Sequence, residues 1–262
     1  MEKLKSQYWV MVTGAGGGIG EIVVEKLLDN NYKVICIDKK KPICSLKNKL
    51  DNTNYLENVE YLEIDLNTLV KDNKDKNFAE KKIFDCLKDK KLIAIVHLAA
   101  IQKLANFSEL RLEDWRSSFD INLFAPVEIN KICLHNLIEN NGSIVHVGSI
   151  HSNLTKPFFS LYATTKAAIK GLTKSMAVEL GSKVRVNCIE PAAISTKMLE
   201  QGFENDLYLK DRLNSYHPTG SIGNPSDVAM SILYLIDSEN RFLNGCIINL
   251  DGGIRSRLHD PN

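Results

Sequence analysis

Seven short apolar runs recur along this chain, with stretches of helical apolar spacing between most of them. That alternation limits the fold more than any other feature, because strands separated by helices pair in parallel through crossover connections. The runs are Tyr8–Val12, Lys33–Ile37, Val59–Ile64, Leu92–Leu98, Ser143–Val147, Val184–Ile189 and Cys246–Leu250. Helical spacing falls at Ile19–Asp29, Phe78–Lys88, Ala125–Glu139, Ser160–Leu180 and Pro225–Asp237. At the last of these, Asn224-Pro225 with Asp227 in the first turn is a helix-start signal. The pattern predicts an α/β fold: a doubly wound parallel sheet of about seven strands with helices on both faces. With no repeat and no linker, it forms a single domain over residues 1–262. The polar stretches Lys39–Asn58 and Lys71–Asn77 read as solvated surface.

Between the first run and the first helix lies Thr13-Gly14-Ala15-Gly16-Gly17-Gly18-Ile19-Gly20. Glycines in that position let the chain turn tightly and let backbone approach a pyrophosphate, which then sits on the helix N-terminus. The fold is therefore expected to be Rossmann-like and to bind a dinucleotide. Asp38 ends the second run, eighteen residues after Gly20. A carboxylate there accepts hydrogen bonds from the adenosine ribose and repels a 2′-phosphate, which favours NAD(H) over NADP(H). Lys39, Lys40 and Lys41 follow at once and are the opposing argument, since they could hold that phosphate. Asp65-Leu66 follows the third run and could lie beside the adenine, or Asp65 could cap the next turn.

The stretch Ser149–Gly171 carries the proton chemistry. Tyr162 and Lys166 stand four residues apart in a helical segment, so both side chains leave one face of it. Ser149 ends the preceding apolar run, which brings a hydroxyl, a phenol and an ammonium group to the carboxyl end of the sheet. A phenol titrates near pH ~10 and is a poor base at neutrality until a neighbouring cation favours its anion.

Composition excludes several classes. A net charge of +1 with 25% charged residues gives no reason to expect nucleic acid or a membrane surface as partner. No apolar run approaches ~20 residues and no signal-peptide core opens the chain. The six cysteines are scattered singly with no C-x-x-C pair, as in a reducing compartment, so a cytoplasmic protein without a bound metal is expected.

Taken together, these residues resemble the short-chain dehydrogenase/reductase family along nearly the whole chain. The likeness rests on T-G-x-x-x-G-I-G at Thr13–Gly20, Asp38, Asn122 within DINLFAP, and Ser149 thirteen residues before Tyr162. It also rests on Y-x-x-x-K to Lys166, RVNCIEPAAIST, and INLDGG near the end. Gly17 and Gly20 equally fit the spacing of the family's extended, sugar-nucleotide-modifying branch, as does His97-Leu98-Ala99-Ala100. The Ser–Tyr spacing, the length and the terminal DGG favour the short single-domain branch. The resemblance implies Tyr162 as general acid/base and Lys166 as its electrostatic partner and ribose holder. It implies Ser149 as the residue orienting the reacting oxygen, and Asn122 as anchor of a water joining Lys166 to solvent. It places Gly14, Gly16, Gly17, Gly18, Ile19, Gly20, Asp38, Asp65, Leu66, Ala99 and Ala100 beside the cofactor, with Pro191, Ile194 and Thr196 on its nicotinamide side. It further implies a homodimer or homotetramer packed through the helices at Ala125–Glu139 and Ser160–Leu180. Two positions depart from the family pattern: His97-Leu98 stands where two asparagines are usual, and Ala192 stands for a glycine.

Residues 197–220 form a polar and aromatic excursion and read as a substrate lid, and His151 is a candidate for the substrate pocket. The lid is neither strongly apolar nor strongly basic, so a small-molecule substrate of the polyol, sugar or hydroxy-acid type is expected. The alternatives are an NADPH-dependent 3-oxoacyl-thioester reductase, an enzyme acting on an activated sugar, and a non-catalytic dinucleotide sensor. The last conflicts with the intact Asn122, Ser149, Tyr162 and Lys166.

Overall fold

The computed structural model describes residues 5–39, 57–71, 74–196, 199 and 207–258 of the chain. Lys40 and Lys41, most of the first half of the expected lid, and residues 259–262 lie outside them. The seven apolar runs form strands β1 (Tyr8–Thr13), β2 (Lys33–Asp38), β3 (Val59–Glu63), β4 (Lys91–His97), β5 (Ser143–Val147), β6 (Arg185–Pro191) and β7 (Ile247–Leu250). They make one parallel sheet in the order β3-β2-β1-β4-β5-β6-β7. Thr13 pairs with both Ile37 and His97, so the carboxyl ends of β2, β1 and β4 stand level. The strand order reverses between β1 and β4, and the loops leaving these two strands part there to open a crevice.

Helices α1 (Gly18–Asp29), α2 (Lys74–Leu87), α3 (Leu112–Phe119), α4 (Ala125–Glu139), α5 (Ser160–Leu180), α6 (Leu207–Tyr216) and α7 (Pro225–Ile236) wrap the sheet. The two-residue side-chain alternation of the strands decides which helix meets which residue. Val10, Val12, Val34, Cys36 and Val96 pack against Val23 and Leu27 of α1 and Val228 and Ile232 of α7. Met11, Ile35, Ile37 and Ile95 point the other way, onto Ile83 of α2, Ile129, Cys133 and Leu137 of α4, and Ala177 of α5. Both faces are covered, which is why the strands read as continuous apolar runs rather than alternating ones.

Three local details shape the ends of these elements. β5 stops at Val147, and Ser149 instead caps a short 3₁₀ turn at Ile150–Ser152. β3 stops at Glu63, and Asp65 caps a second 3₁₀ turn at Leu66–Val70. Between α3 and α4, residues Asp120–Phe124 form one π turn, with the Ala125 N–H donating to the Asp120 carbonyl. Pro126 offers no N–H to the carbonyl of Asn122 and crowds it, and the wider turn relieves that clash.

Candidate active site

The nucleotide side of the crevice is built from backbone. Gly14 leaves β1 with φ +69°, and a Cβ there would lie 2.7 Å from the Ala99 nitrogen. A Cβ on Gly20 would lie 2.1 Å from the Gly14 carbonyl oxygen, so both positions require glycine. The Gly17 N–H closes the turn on the Gly14 carbonyl at 3.1 Å. No side chain caps α1, so its first-turn N–H groups are left to an anion. Gly16 donates its N–H to Asp38 Oδ2 at 3.0 Å, which fixes that carboxylate against the loop. Ala99 donates to Thr13 Oγ1 at 3.3 Å, and Ala100 follows it at the surface. Across the crevice, Thr196 approaches Gly18, Ile194 forms a buried bridge to Gly223, and Pro191 ends β6. Asp65 accepts from the Asn67 N–H at 3.0 Å, and the Leu66 side chain is in the core, so only Leu66 backbone is available to a ligand.

On the other side, α5 presents Tyr162 and Lys166 one turn apart. Lys166 is only 5% exposed, and its Nζ donates to the Val147 carbonyl at 2.8 Å, 5.6 Å from the centre of the Tyr162 ring. Ser149 is buried beside them, its Oγ accepting from the His151 N–H at 3.2 Å. The π turn directs Asn122 inward, where its Oδ1 accepts from the Ile101 N–H at 2.8 Å. Asn122 Nδ2 donates to the Ile101 carbonyl at 2.9 Å and to Thr165 Oγ1 at 3.0 Å. Thr165 in turn donates to the Tyr162 carbonyl at 2.8 Å. Asn122 thus ties the loop after β4 to the helix that carries the phenol. Thr13 opens the glycine motif, but no motif spacing points to Thr165. The available signal is a hydroxyl three residues after Tyr162, on the same helix face.

His151 stacks on Phe159, ring centres 4.2 Å apart, and meets the Tyr162 ring edge-on at 6.0 Å. Burial, assisted by Lys156, pushes the His151 pKa down to about 4, so the imidazole is neutral at pH 7. Next to it is a cleft of about 390 Å³ lined by Leu104, Lys156, Pro157, Phe158 and Phe159. Phe158 adopts φ +71°, a left-handed conformation that a bulky side chain rarely takes. A larger hollow of about 620 Å³ lies between the end of α6 and the C-terminal tail; it is lined by Ser215, His217, Pro218 and Gly220 of the expected lid but by none of the expected catalytic or cofactor residues.

Among the described residues, no cluster of three His, Cys, Asp or Glu side chains could hold a metal ion, and no helix is long and apolar enough to cross a membrane.

The model of the short chain dehydrogenase family matches residues 8–207. Carbonyl reductase [NADPH] 2 of Sus scrofa is 30% identical over 247 residues, covering 93% of this chain and 94% of the relative. Among solved structures, the ligand-free aldohexose dehydrogenase of Thermoplasma acidophilum has a TM-score of 0.86 at 26% identity, covering 100% of this chain and 98% of that one. ElxO with NADP bound has a TM-score of 0.82 at 27% identity, covering 96% of this chain and 100% of that one.

Proposed function

The chain belongs to the short chain dehydrogenase family, and on that premise we propose that it transfers a hydride between NAD(H) and a small secondary alcohol or ketone. The observation that carries this is the Lys166 ammonium, buried and fixed by the Val147 carbonyl beside the Tyr162 ring. With the ammonium held one helical turn away, Tyr162 is placed to act as general acid/base, taking the proton of an alcohol or returning one to a ketone oxygen. Ser149 Oγ, oriented by the His151 N–H, is free to donate to the reacting oxygen and align it. Asn122 holds the turn of α5 through Thr165, and the family resemblance gives it the further role of anchoring a water between Lys166 and solvent. When bound, the nicotinamide supplies or accepts the hydride. The glycine loop and the uncapped start of α1 would hold the pyrophosphate, with Ala99, Ala100 and Pro191 to Thr196 around the nicotinamide. Replacing Tyr162 by Phe is expected to lower kcat by roughly 10²- to 10⁴-fold and leave the Kd for NADH within about twofold. A variant that kept most of its rate would remove Tyr162 from the reaction.

NAD(H) is favoured because Asp38, fixed by Gly16, sets its charge where a 2′-phosphate would have to lie. Calorimetric titration should show NADH binding at least ~10-fold more tightly than NADPH, a difference of about 1.4 kcal/mol. The reverse order would align the enzyme with the pig relative, named for NADPH, and with a biosynthetic ketone reductase.

The aromatic wall beside Tyr162 bears on the substrate. The polyol, sugar or hydroxy-acid expectation rests on residues 197–220, of which 197, 198 and 200–206 lie outside the described residues. Apart from Lys156, the cleft offers only Leu104, Pro157, Phe158 and Phe159, with neutral His151 beside it, few partners for a run of hydroxyls, so the compound that fits has one polar reacting end and an apolar flank. α6 belongs to the segment that would close over it as a lid. Val178 of α5, 88% exposed, and Met230 and Tyr234 of α7 give apolar contacts for a homodimer or homotetramer. The free thiols of Cys36, Cys86, Cys133, Cys188 and Cys246 suit a reducing, cytoplasmic setting.

A further inference from the structure

Glu190 is a carboxylate with a fully buried side chain, 0% exposed, next to last in β6. A buried charge is stable only when its partners are in place. Its Oε2 accepts from Arg255 Nη1 at 2.7 Å and from Asn153 Nδ2 at 3.1 Å. Its Oε1 accepts from Ser152 Oγ, and Lys170 Nζ of α5 stands 4.0 Å away. Lys170 also donates to Asn153 Oδ1. Arg255 comes from the tail after β7, where its Nε lies 3.5 Å from Asp251 Oδ2. The stem of Glu190 lies under Gly148, whose absent Cβ would stand 3.2 Å from Glu190 Cγ.

Ser152 and Asn153 close the same turn that begins at Ser149 and carries His151. Its backbone is held by the Ser152 N–H on the Ser149 carbonyl at 3.0 Å, and by the Asn153 and Leu154 N–H groups on the Ile150 carbonyl at 3.1 and 3.0 Å. Both ends of the turn are therefore fixed from below: Ser149 follows Gly148 on the sheet, and Ser152 and Asn153 are bonded to one carboxylate. That carboxylate is itself neutralised by the C-terminal tail.

We infer that the Arg255–Glu190 pair is a positioning device that holds the Ser149–Asn153 turn in register with Tyr162, so that the C-terminal tail sets the aim of Ser149 and His151. The inference rests on the proposed roles of Ser149 and Tyr162 for its consequence in catalysis, but the placement of the turn can be measured without substrate.

The test is amide hydrogen exchange on the full-length chain with saturating NADH, comparing wild type with Arg255→Met, Arg255→Lys and Glu190→Gln. Arg255→Met should speed exchange of the 152–154 amides at least tenfold while amides of β1 and β4 stay within twofold. Arg255→Lys, which keeps the charge, should restore more than half of the protection, and Glu190→Gln should reproduce the local loss without a change of shape. In reduction of 4-nitroacetophenone by NADH, kcat of Arg255→Met should fall about tenfold while KM for NADH is unmoved, a split that general loss of stability does not give. Unchanged protection at 152–154 in Arg255→Met, or protection lost equally across the sheet, would overturn the proposal. The exchange result decides it even if Tyr162→Phe shows the phenol to be idle.

Discussion

On the nucleotide side of the crevice the close approaches are between backbone atoms, Gly14 to Ala99 and Gly20 to Gly14. On the substrate side they are between rings: His151 on Phe159, and both edge-on to Tyr162. The first side uses glycine where the chain turns left-handed, and the second puts a phenylalanine, Phe158, in the same conformation. Under the proposed function, the difference follows from what each side would bind. A pyrophosphate is met by N–H groups and a helix terminus, which any sequence can supply provided no Cβ intrudes. A substrate flank is recognised by side chains, whose identity can change while the backbone beneath stays in place.

The comparison can be broken most severely at Gly20. Gly20→Ala places a methyl into backbone and should weaken NADH binding at least ~100-fold, by fluorescence titration. Gly18→Ala meets only the Thr196 side chain at 3.5 Å and should bind NADH within a few-fold of wild type. Equal losses in the two variants would show that backbone approach is not what the loop requires.

A second test addresses the seam between the two sides, where His97 of β4 and His146 of β5 stack with ring centres 5.3 Å apart. Burial lowers the His97 pKa to about 4 against the opposing hydrogen bond to Asn130, and burial, with His97 and Lys166, holds His146 well below its ordinary value. The unfolded chain therefore binds protons between pH ~6.5 and ~4 that the folded chain refuses. Stability from neutral His97 is complete above ~6.5 and drains as the pH falls toward 4. Urea melts should show roughly 2 kcal/mol less of this loss between pH 7 and pH 4.5 in His97→Asn, which retains a partner for Asn130. An undiminished loss would mean that His97 is not the group resisting protonation.

The smallest effect is expected on the substrate side itself. Phe158→Gly should relieve the left-handed strain and raise stability by about 1 kcal/mol in a urea melt, while raising KM for an apolar ketone several-fold. A fall in stability would mean that the ring packs well enough to outweigh its backbone.

The parallel sheet was legible because its strands are covered on both faces, and α4 and α5 take the very bounds their spacing predicts. The glycine loop, Asp38 and the Tyr162–Lys166 pair were legible because each lies in a local pattern. What escaped depends on distant partners or on short polar segments. α3, with only eight residues and three of them charged, shows no long apolar stripe. The bonds of Asn122 to Ile101 and Thr165 join segments 21 and 43 residues apart. Glu190 directly follows the apolar run Val184–Ile189 and is buried in β6, and a charge there is the visible sign that a buried partner must exist elsewhere.

The π turn at Asp120–Phe124 makes the chain length at this point a fixed count. An α-helix advances about 100° per residue, so removing one residue would turn α4 about its axis by that angle relative to α3. Either Asn122 would leave Ile101, or Ile129, Cys133 and Leu137 would leave the sheet. Surface loops elsewhere can gain or lose residues in descendants of this sequence, whereas insertions and deletions between Leu112 and Glu139 would be purged together with the activity.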